Sequence, residues 1–324
     1  MKRRPKRGRG SARRPDKTLD TALGRVIGRQ GPVFMVETEV DGQITCVARG
    51  KGKRAVVGDM VRFIDNADTE LARGLIVEHE PRESELIRAD ALGRRAQAIA
   101  ANLDRIFVVV ANQPPLREGL IDRYLVTAEA QGLETHIVFN KVDLIADDPD
   151  AIADVGHRLA AYPPLGYPVH FVSAATGHGV PELMEALADQ CSIFVGHSGV
   201  GKTSLLNALC PGLTEPVNVL SAASGRGQHT TTTAQMYRLD NGGEVIDSPG
   251  IRSFGLWGMP TDDVRLYFVE FNEISDECRF SDCQHIREPK CAILAALEEG
   301  AISDVRYASY LRIRESLSAP DPRL

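Results

Sequence analysis

The sequence predicts a multidomain chain: an N-terminal all-β OB-fold barrel, a central α/β domain of the phosphate-loop type, and a C-terminal helical zinc-binding domain. Three observations predict it. Leu23 to about Glu80 alternates short apolar strands with glycine turns, Ser192–Val195 runs through a glycine-rich loop into a helix, and three cysteines and a histidine crowd into residues 278–291. At 324 residues the chain can hold two or three domains with ample core. The divisions read as a basic disordered arm over 1–20, the OB-fold over 21–88, the α/β domain over 89–258 and the zinc-binding helical domain over 259–324.

The first 17 residues carry nine Lys/Arg and one Asp, whereas the whole chain has a formal charge of −6. The remainder is therefore acidic. Such an arm commonly touches nucleic acid, or else stays a solvated tail without a fixed partner. In the barrel the expected strands are 24–27, 33–37, 44–48, 58–63 and 74–77. Five short strands with glycine turns suit an OB-fold, whose commonest use is nucleic-acid binding. The run Arg49-Gly50-Lys51-Gly52-Lys53-Arg54 falls in one of its loops, placed for phosphates.

Ser192–Val195 reads as a buried strand and Lys202–Leu209 as a helix, with Leu205, Leu206 and Leu209 at helical spacing. Between them, Gly196-His197-Ser198-Gly199-Val200-Gly201-Lys202-Thr203-Ser204 has the composition of a polyphosphate cradle. Glycines let backbone N–H groups converge on a β-phosphate, Lys202 adds a point charge near the β/γ oxygens, and the Thr203 hydroxyl can ligate Mg²⁺. Upstream, the apolar strand 135–139 ends in Asn140-Lys141-Val142-Asp143. A carboxylate at Asp143 accepts hydrogen bonds from the ring N–H and exocyclic amine of guanine, which adenine cannot supply. Strand 169–172 runs into Ser173-Ala174-Ala175, a tight loop that can offer backbone N–H to the guanine carbonyl.

Downstream, residues 242–247 form a strand ending in an acid, followed by Ser248-Pro249-Gly250. Asp247 is placed for the Mg²⁺ shell and the Gly250 N–H for the γ-phosphate. Gly225 to Thr233 is rich in glycine and hydroxyls, and either Thr231 or Thr232 completes the Mg²⁺ coordination. The order is thus guanine-reading loops, phosphate loop, switch loops, a circular permutation of the usual GTPase. A kinase using the same loop is disfavoured by Asn140 and Asp143; a non-catalytic GTP-binding RNA module remains the alternative.

Cys46, Cys191 and Cys210 are scattered in apolar settings and read as buried thiols. Cys278, Cys283, His285 and Cys291 form a Cys₃His set, which suits one tetrahedral structural Zn²⁺ and leaves no open position for catalysis. Segments 262–272 and 291–299 around it read as helical. No apolar run approaches the roughly 20 residues needed to span a bilayer, nor does the basic N-terminus carry a secretory apolar stretch. The expectation is a soluble, cytoplasmic monomer.

Taken together, "GHSGVGKTSLLN", "NKVD", "GRGQHTTTT", "DSPGIRSFGL" and "CRFSDCQHIREPKC" resemble the circularly permuted GTPases that assist assembly of the small ribosomal subunit, the RsgA (YjeQ) family. The resemblance spans nearly the whole chain and implies GTP hydrolysis with Mg²⁺, stimulated by the small ribosomal subunit and accompanied by rRNA binding. The family usually has Thr where Ser248 stands and often Ser where Thr203 stands; both swaps keep a hydroxyl. In Ras-like enzymes a water-orienting Gln follows the glycine of the Asp-x-x-Gly motif, whereas Ile251 stands here. The resemblance implies that the His before the Thr run, His229, takes the catalytic place.

Overall fold

The computed structural model describes residues 21–65, 72–89, 96–211, 234–247, 256 and 258–318. Its N-terminal part is a closed barrel of β1 (Ala22–Gln30), β2 (Val33–Thr38), β3 (Gly42–Ala48), β4 (Met60–Ile64) and β5 (Gly74–His79). Pairing runs β1–β2–β3–β5–β4 and returns to β1, antiparallel throughout except between β3 and β5. Alternation along the strands selects the filling: Val26, Phe34, Val36, Ile44, Cys46, Val61, Phe63 and Ile76 are buried together. This is the expected OB-fold barrel. Within the basic run, Gly50–Arg54 tightens into a 3₁₀ turn.

A hairpin of β6 (Glu85–Ala89) and β7 (Ala96–Ala101), which the sequence does not announce, leads from the barrel to the α/β domain. That domain's strands are β8 (Arg105–Ala111), β9 (Glu134–Asn140), β10 (Val169–Val172), β11 (Cys191–Val195), β12 (Ala234–Arg238) and β13 (Glu244–Asp247). They lie in the order β10–β9–β8–β11–β13–β12, parallel except for β12. Both faces are covered, so the strands read as nearly continuous apolar runs. Ile106, Val108, Ile137, Phe139, Ile193 and Val195 pack under α1 (Glu118–Glu129) and α2 (Pro149–Leu159). Phe107, Val109, Val138 and Phe194 face α3 (Val180–Ala186) and α4 (Lys202–Leu209).

Parallel strands release their C-terminal ends on one edge, where α/β folds of this kind bind ligands. Here β9, β10, β11 and β13 end there at Asn140, Val172, Val195 and Asp247. The barrel and this sheet are joined by backbone hydrogen bonds, because β12 pairs antiparallel with β1 at Gly28↔Gln235 and Arg29↔Ala234. An Arg25–Glu244 ion pair at 2.5 Å ties the same junction.

The C-terminal region has a 3₁₀ turn (Thr261–Tyr267), α5 (Val269–Ser275), α6 (Ala292–Glu298) and α7 (Asp304–Ser318). The helix expected over 262–272 is interrupted at Phe268, which is buried against Phe271 and Tyr310. The sequence reading does not anticipate α7: its core residues Tyr310 and Ile313 alternate with arginines, and its largest fully buried side chain is Arg306. Among the described residues no helix is long and apolar enough to cross a membrane.

Candidate nucleotide site and metal centre

The glycine-rich loop leaves β11, all of whose residues are buried, and opens α4. Its glycines are obligatory at two places. Gly196 and Gly201 have φ of 141° and 96°; a Cβ on Gly196 would lie 2.2 Å from Val109 O, and one on Gly201 2.3 Å from Asn140 Nδ2. Lys202 folds back over the loop, donating to Gly196 O at 2.7 Å and His197 O at 3.1 Å. Burial pulls its ammonium pKa down and Asp247 opposes that; burial likewise raises the Asp247 carboxyl, with Lys202 opposing. A desolvated cation and a desolvated carboxylate thus share the loop's mouth. Thr203 and Ser204 stand in the first turn of α4, with Ser198 and Gly199 at the loop's tip and Val200 buried beneath.

The 140–143 and 173–174 segments, remote in sequence, are stapled to that loop by one side chain. Asn140, 1 % exposed, donates from Nδ2 to Val200 O at 2.9 Å and accepts at Oδ1 from Ala174 N at 3.2 Å. Lys141 takes φ 69° and donates from Nζ to Gly199 O at 2.5 Å and Gln113 O at 2.9 Å, lying along the loop's flank. Asp143 accepts at Oδ1 from Ser173 Oγ, whose oxygen also accepts from Thr176 N at 3.1 Å. The structure therefore brings Asn140, Lys141, Asp143, Ser173, Ala174, the 196–204 loop and Asp247 to one sheet edge. His229, Thr231, Thr232 and Gly250 lie outside the described residues, as does the 1–20 arm. The carbonyl of Gln113 is a contact the sequence gives no sign of, since any residue there offers the same oxygen.

In the C-terminal region the donor atoms of Cys278, Cys283, His285 and Cys291 lie within 4.8 Å of one another. Cys278 Sγ and Cys291 Sγ are 3.9 Å apart, and their distances to His285 Nδ1 are 3.6 and 3.4 Å. A tetrahedral zinc with Zn–S of ~2.3 Å and Zn–N of ~2.0 Å has edges of roughly 3.8 and 3.5 Å, so the donors fit the ion. Burial pushes the Cys283 thiol up to about 12 and the His285 imidazole down to about 4. Neutral imidazole is the ligand form, while the thiolates need a cation beside them. Ala292 N donates to Cys278 Sγ at 3.4 Å from the start of α6. From α7, Tyr307 and Tyr310 donate to His285 O and Gln284 O at 2.7 and 2.6 Å, fixing the loop that carries the imidazole.

Comparison with known proteins agrees with this geometry. A model of the RsgA GTPase family matches residues 79–257, more than half of the chain. The chain belongs to the RsgA GTPase family. The small ribosomal subunit biogenesis GTPase RsgA of Azotobacter vinelandii (strain DJ / ATCC BAA-1303) is 45% identical over 303 residues, covering 92% of this chain and 86% of that protein. Its namesake in Pseudomonas aeruginosa (strain LESB58) is 43% identical over 320 residues, covering 96% and 93%. Among solved structures, YjeQ from Thermotoga maritima superposes with a TM-score of 0.73 at 34% identity, covering 93% of this chain and 100% of its own. YloQ, described as a circularly permuted GTPase, gives 0.69 at 28% identity, with 97% and 100% covered.

As an RsgA GTPase the chain cleaves GTP to GDP and phosphate with Mg²⁺, and its Cys₃His cluster fits a single structural zinc. Mg²⁺ supplies neutralisation of the β/γ oxygens when bound. The chain's own part is to hold a desolvated ammonium at the glycine-rich loop, to present N–H groups there, and to keep the 140–143 and 173–174 loops in fixed register with it through Asn140.

Proposed function

We propose that this chain is a GTP-hydrolysing assembly factor for late maturation of the small ribosomal subunit, binding rRNA and changing its affinity with nucleotide state. The names of relatives matched over most of their length support the partner. The observation that carries the coupling is a continuous ladder: Gly28 of the barrel pairs with Gln235, and Gln235 pairs with Asp247 at the phosphate edge. A strand that begins one residue after the Thr230–Thr233 run is thus hydrogen-bonded to the barrel that would hold RNA. Movement at the γ-phosphate then has a backbone route to the RNA-facing domain.

In this reading Asp143 reads the guanine edge, with Asn140 and Lys141 shaping its loop and Ser173 and Ala174 closing over the base. Residues Gly196 to Ser204 hold the phosphates, Thr203 and Asp247 serve the Mg²⁺ shell with Thr231 or Thr232, Gly250 meets the γ-phosphate, and His229 positions water. The proposed working division is the arm 1–20, barrel 21–88, GTPase domain 89–258 and zinc domain 259–324, in a cytoplasmic monomer. The test is a pair of titrations of small subunits, with GDP and with a non-hydrolysable GTP analogue. The reading expects tighter binding with the analogue by about tenfold, about 1.4 kcal/mol of coupling. Equal affinities would remove the switch.

A further inference from the structure

A cleft of about 460 Å³ lies between the first turns of α1 and the face of α7, with His197 of the phosphate loop at its rim. Three arginines line it: Arg117 and Arg123 from the GTPase side and Arg312 from the C-terminal helix. None of the three makes an ion pair among the described residues. Arg123 donates to Ser316 Oγ at 2.8 Å, and Arg312 to Ala308 O and weakly to Ser309 Oγ. The one carboxylate in the lining, Glu118, is hydrogen-bonded to Arg158, whose Nε lies 2.5 Å from it, and feels the Arg312 charge only at longer range, without an ion pair. Burial alone lowers the Arg123 guanidinium pKa, with no carboxylate to offset it. The floor is open backbone: a Cβ on Gly119 would find no atom nearer than Ser309 Oγ at 3.8 Å, and α1 begins there without a side-chain cap.

Three guanidiniums that share a single carboxylate and make no ion pair among the described residues, converging from two domains on a cavity of this size, describe a receptor for a multi-oxygen anion. We propose that the cleft is a second phosphate site, separate from the nucleotide loop, and that it takes a phosphodiester of an RNA backbone. A guanidinium fork matches two phosphate oxygens, and an RNA strand laid along the domain junction presents such groups at the spacing of its chain. Because Arg312 is on α7 while Arg117 and Arg123 are on or beside α1, a bound phosphate bridges the two domains. His197 places the same phosphate next to the loop that holds nucleotide. The RNA source rests on the rRNA reading above; the phosphate site does not.

The double variant Arg117→Gln/Arg312→Gln removes the two exposed guanidiniums and spares the half-buried Arg123. With the full chain saturated with GDP, sodium pyrophosphate is titrated by calorimetry. One further site is expected in the wild type and its loss in the variant, with GDP affinity unchanged. Absence of that site, or its persistence in the variant, overturns the proposal. An unstructured 12-nucleotide RNA is then titrated at several salt concentrations. The variant should bind about tenfold more weakly, with the slope of log affinity against log salt shallower by roughly 0.7 to 1.4. Loss of pyrophosphate binding with RNA affinity and slope intact would overturn the RNA source and assign the cleft to a free polyphosphate. Failure of the rRNA reading is seen separately, as a wild type that binds neither RNA nor small subunits.

Discussion

Arg306 Nη1 lies 2.6 Å from Asp122 Oδ1, joining residues 184 positions apart across the junction of the GTPase and C-terminal domains. The guanidinium also donates to Glu270 at 2.7 and 2.9 Å, and Tyr162 donates its hydroxyl to the same Asp122 oxygen at 3.0 Å. Arg306 is 1 % exposed and Asp122 fully buried. Burial raises the Asp122 carboxyl and the Arg306 charge opposes it, so Asp122 depends on Arg306 to stay ionised.

Removing one member of such a cluster strands the others. Arg306→Met should cost about 3–5 kcal/mol in urea unfolding, and adding Asp122→Leu should recover part of it, because the second change deletes the stranded carboxylate. Simple additivity of the two losses would show that the pair does not act as a unit.

The cysteine cluster makes a compositional prediction. Purified protein should carry about one zinc per chain, and Cys283→Ser should lose it while still binding GDP, since the donors are far in sequence from the phosphate loop. The C-terminal helices should then become protease-sensitive. The gap between GTP-state and GDP-state subunit affinity should narrow with them. A variant that lost zinc yet kept the full gap would make this domain a passive anchor.

A third expectation concerns acid. His136 Nδ1 lies 2.9 Å from His170 Nε2, and His136 Nε2 lies 3.0 Å from Glu134 Oε1. Burial holds His170 down at about 4 and lowers His136 as well, with Glu134 opposing and Arg105 assisting at His136. The unfolded imidazole takes its proton near pH 6.5, so below that the unfolded state binds more protons. This stability is whole above about 6.5 and is lost as pH falls toward 4. The urea midpoint of the wild type should drop across that window, and His170→Gln should flatten the drop. Identical profiles would exclude the pair as its source.

Much of the site could be read before any coordinates because its chemistry fixes spacing. Backbone crowding at Gly196 and Gly201 leaves no other residue possible, and a tetrahedral ion needs four donors, which here happen to fall within one short segment. The barrel strands were visible through alternation, and α4 through its leucines. Other features had no local signal. The pairing of β1 with β12 depends on which edges remain free after two domains fold, not on either strand's composition. Helix α7 was hidden because burial of Arg306 and Tyr310 is made possible by partners on α1 and α5, which a periodicity of apolar residues cannot register. Gln113 contributes through its carbonyl, which every residue has.

Among the described residues the ammonium of Lys202 bonds only backbone carbonyls of its own loop, so it ties no separate elements together there. Lys202→Ala should therefore leave thermal unfolding within about 1 kcal/mol of the wild type and abolish multiple-turnover GTP cleavage. Normal hydrolysis by that variant would refute the phosphate-loop assignment.

The central claim is that loops preceding the phosphate loop in the chain read guanine, held to it by Asn140. The most direct measurement is the nucleotide preference of Asp143→Asn. Asp143 accepts from Ser173, and on the proposed reading an amide there donates to the ring carbonyl of xanthine where the carboxylate would accept from guanine. Competition binding of GTP and xanthosine triphosphate should show the preference move by about 10²-fold or more toward xanthosine triphosphate, the discrimination expected when buried polar groups are re-paired. An unchanged preference for GTP would take Asp143 out of the base site and contradict the permuted arrangement.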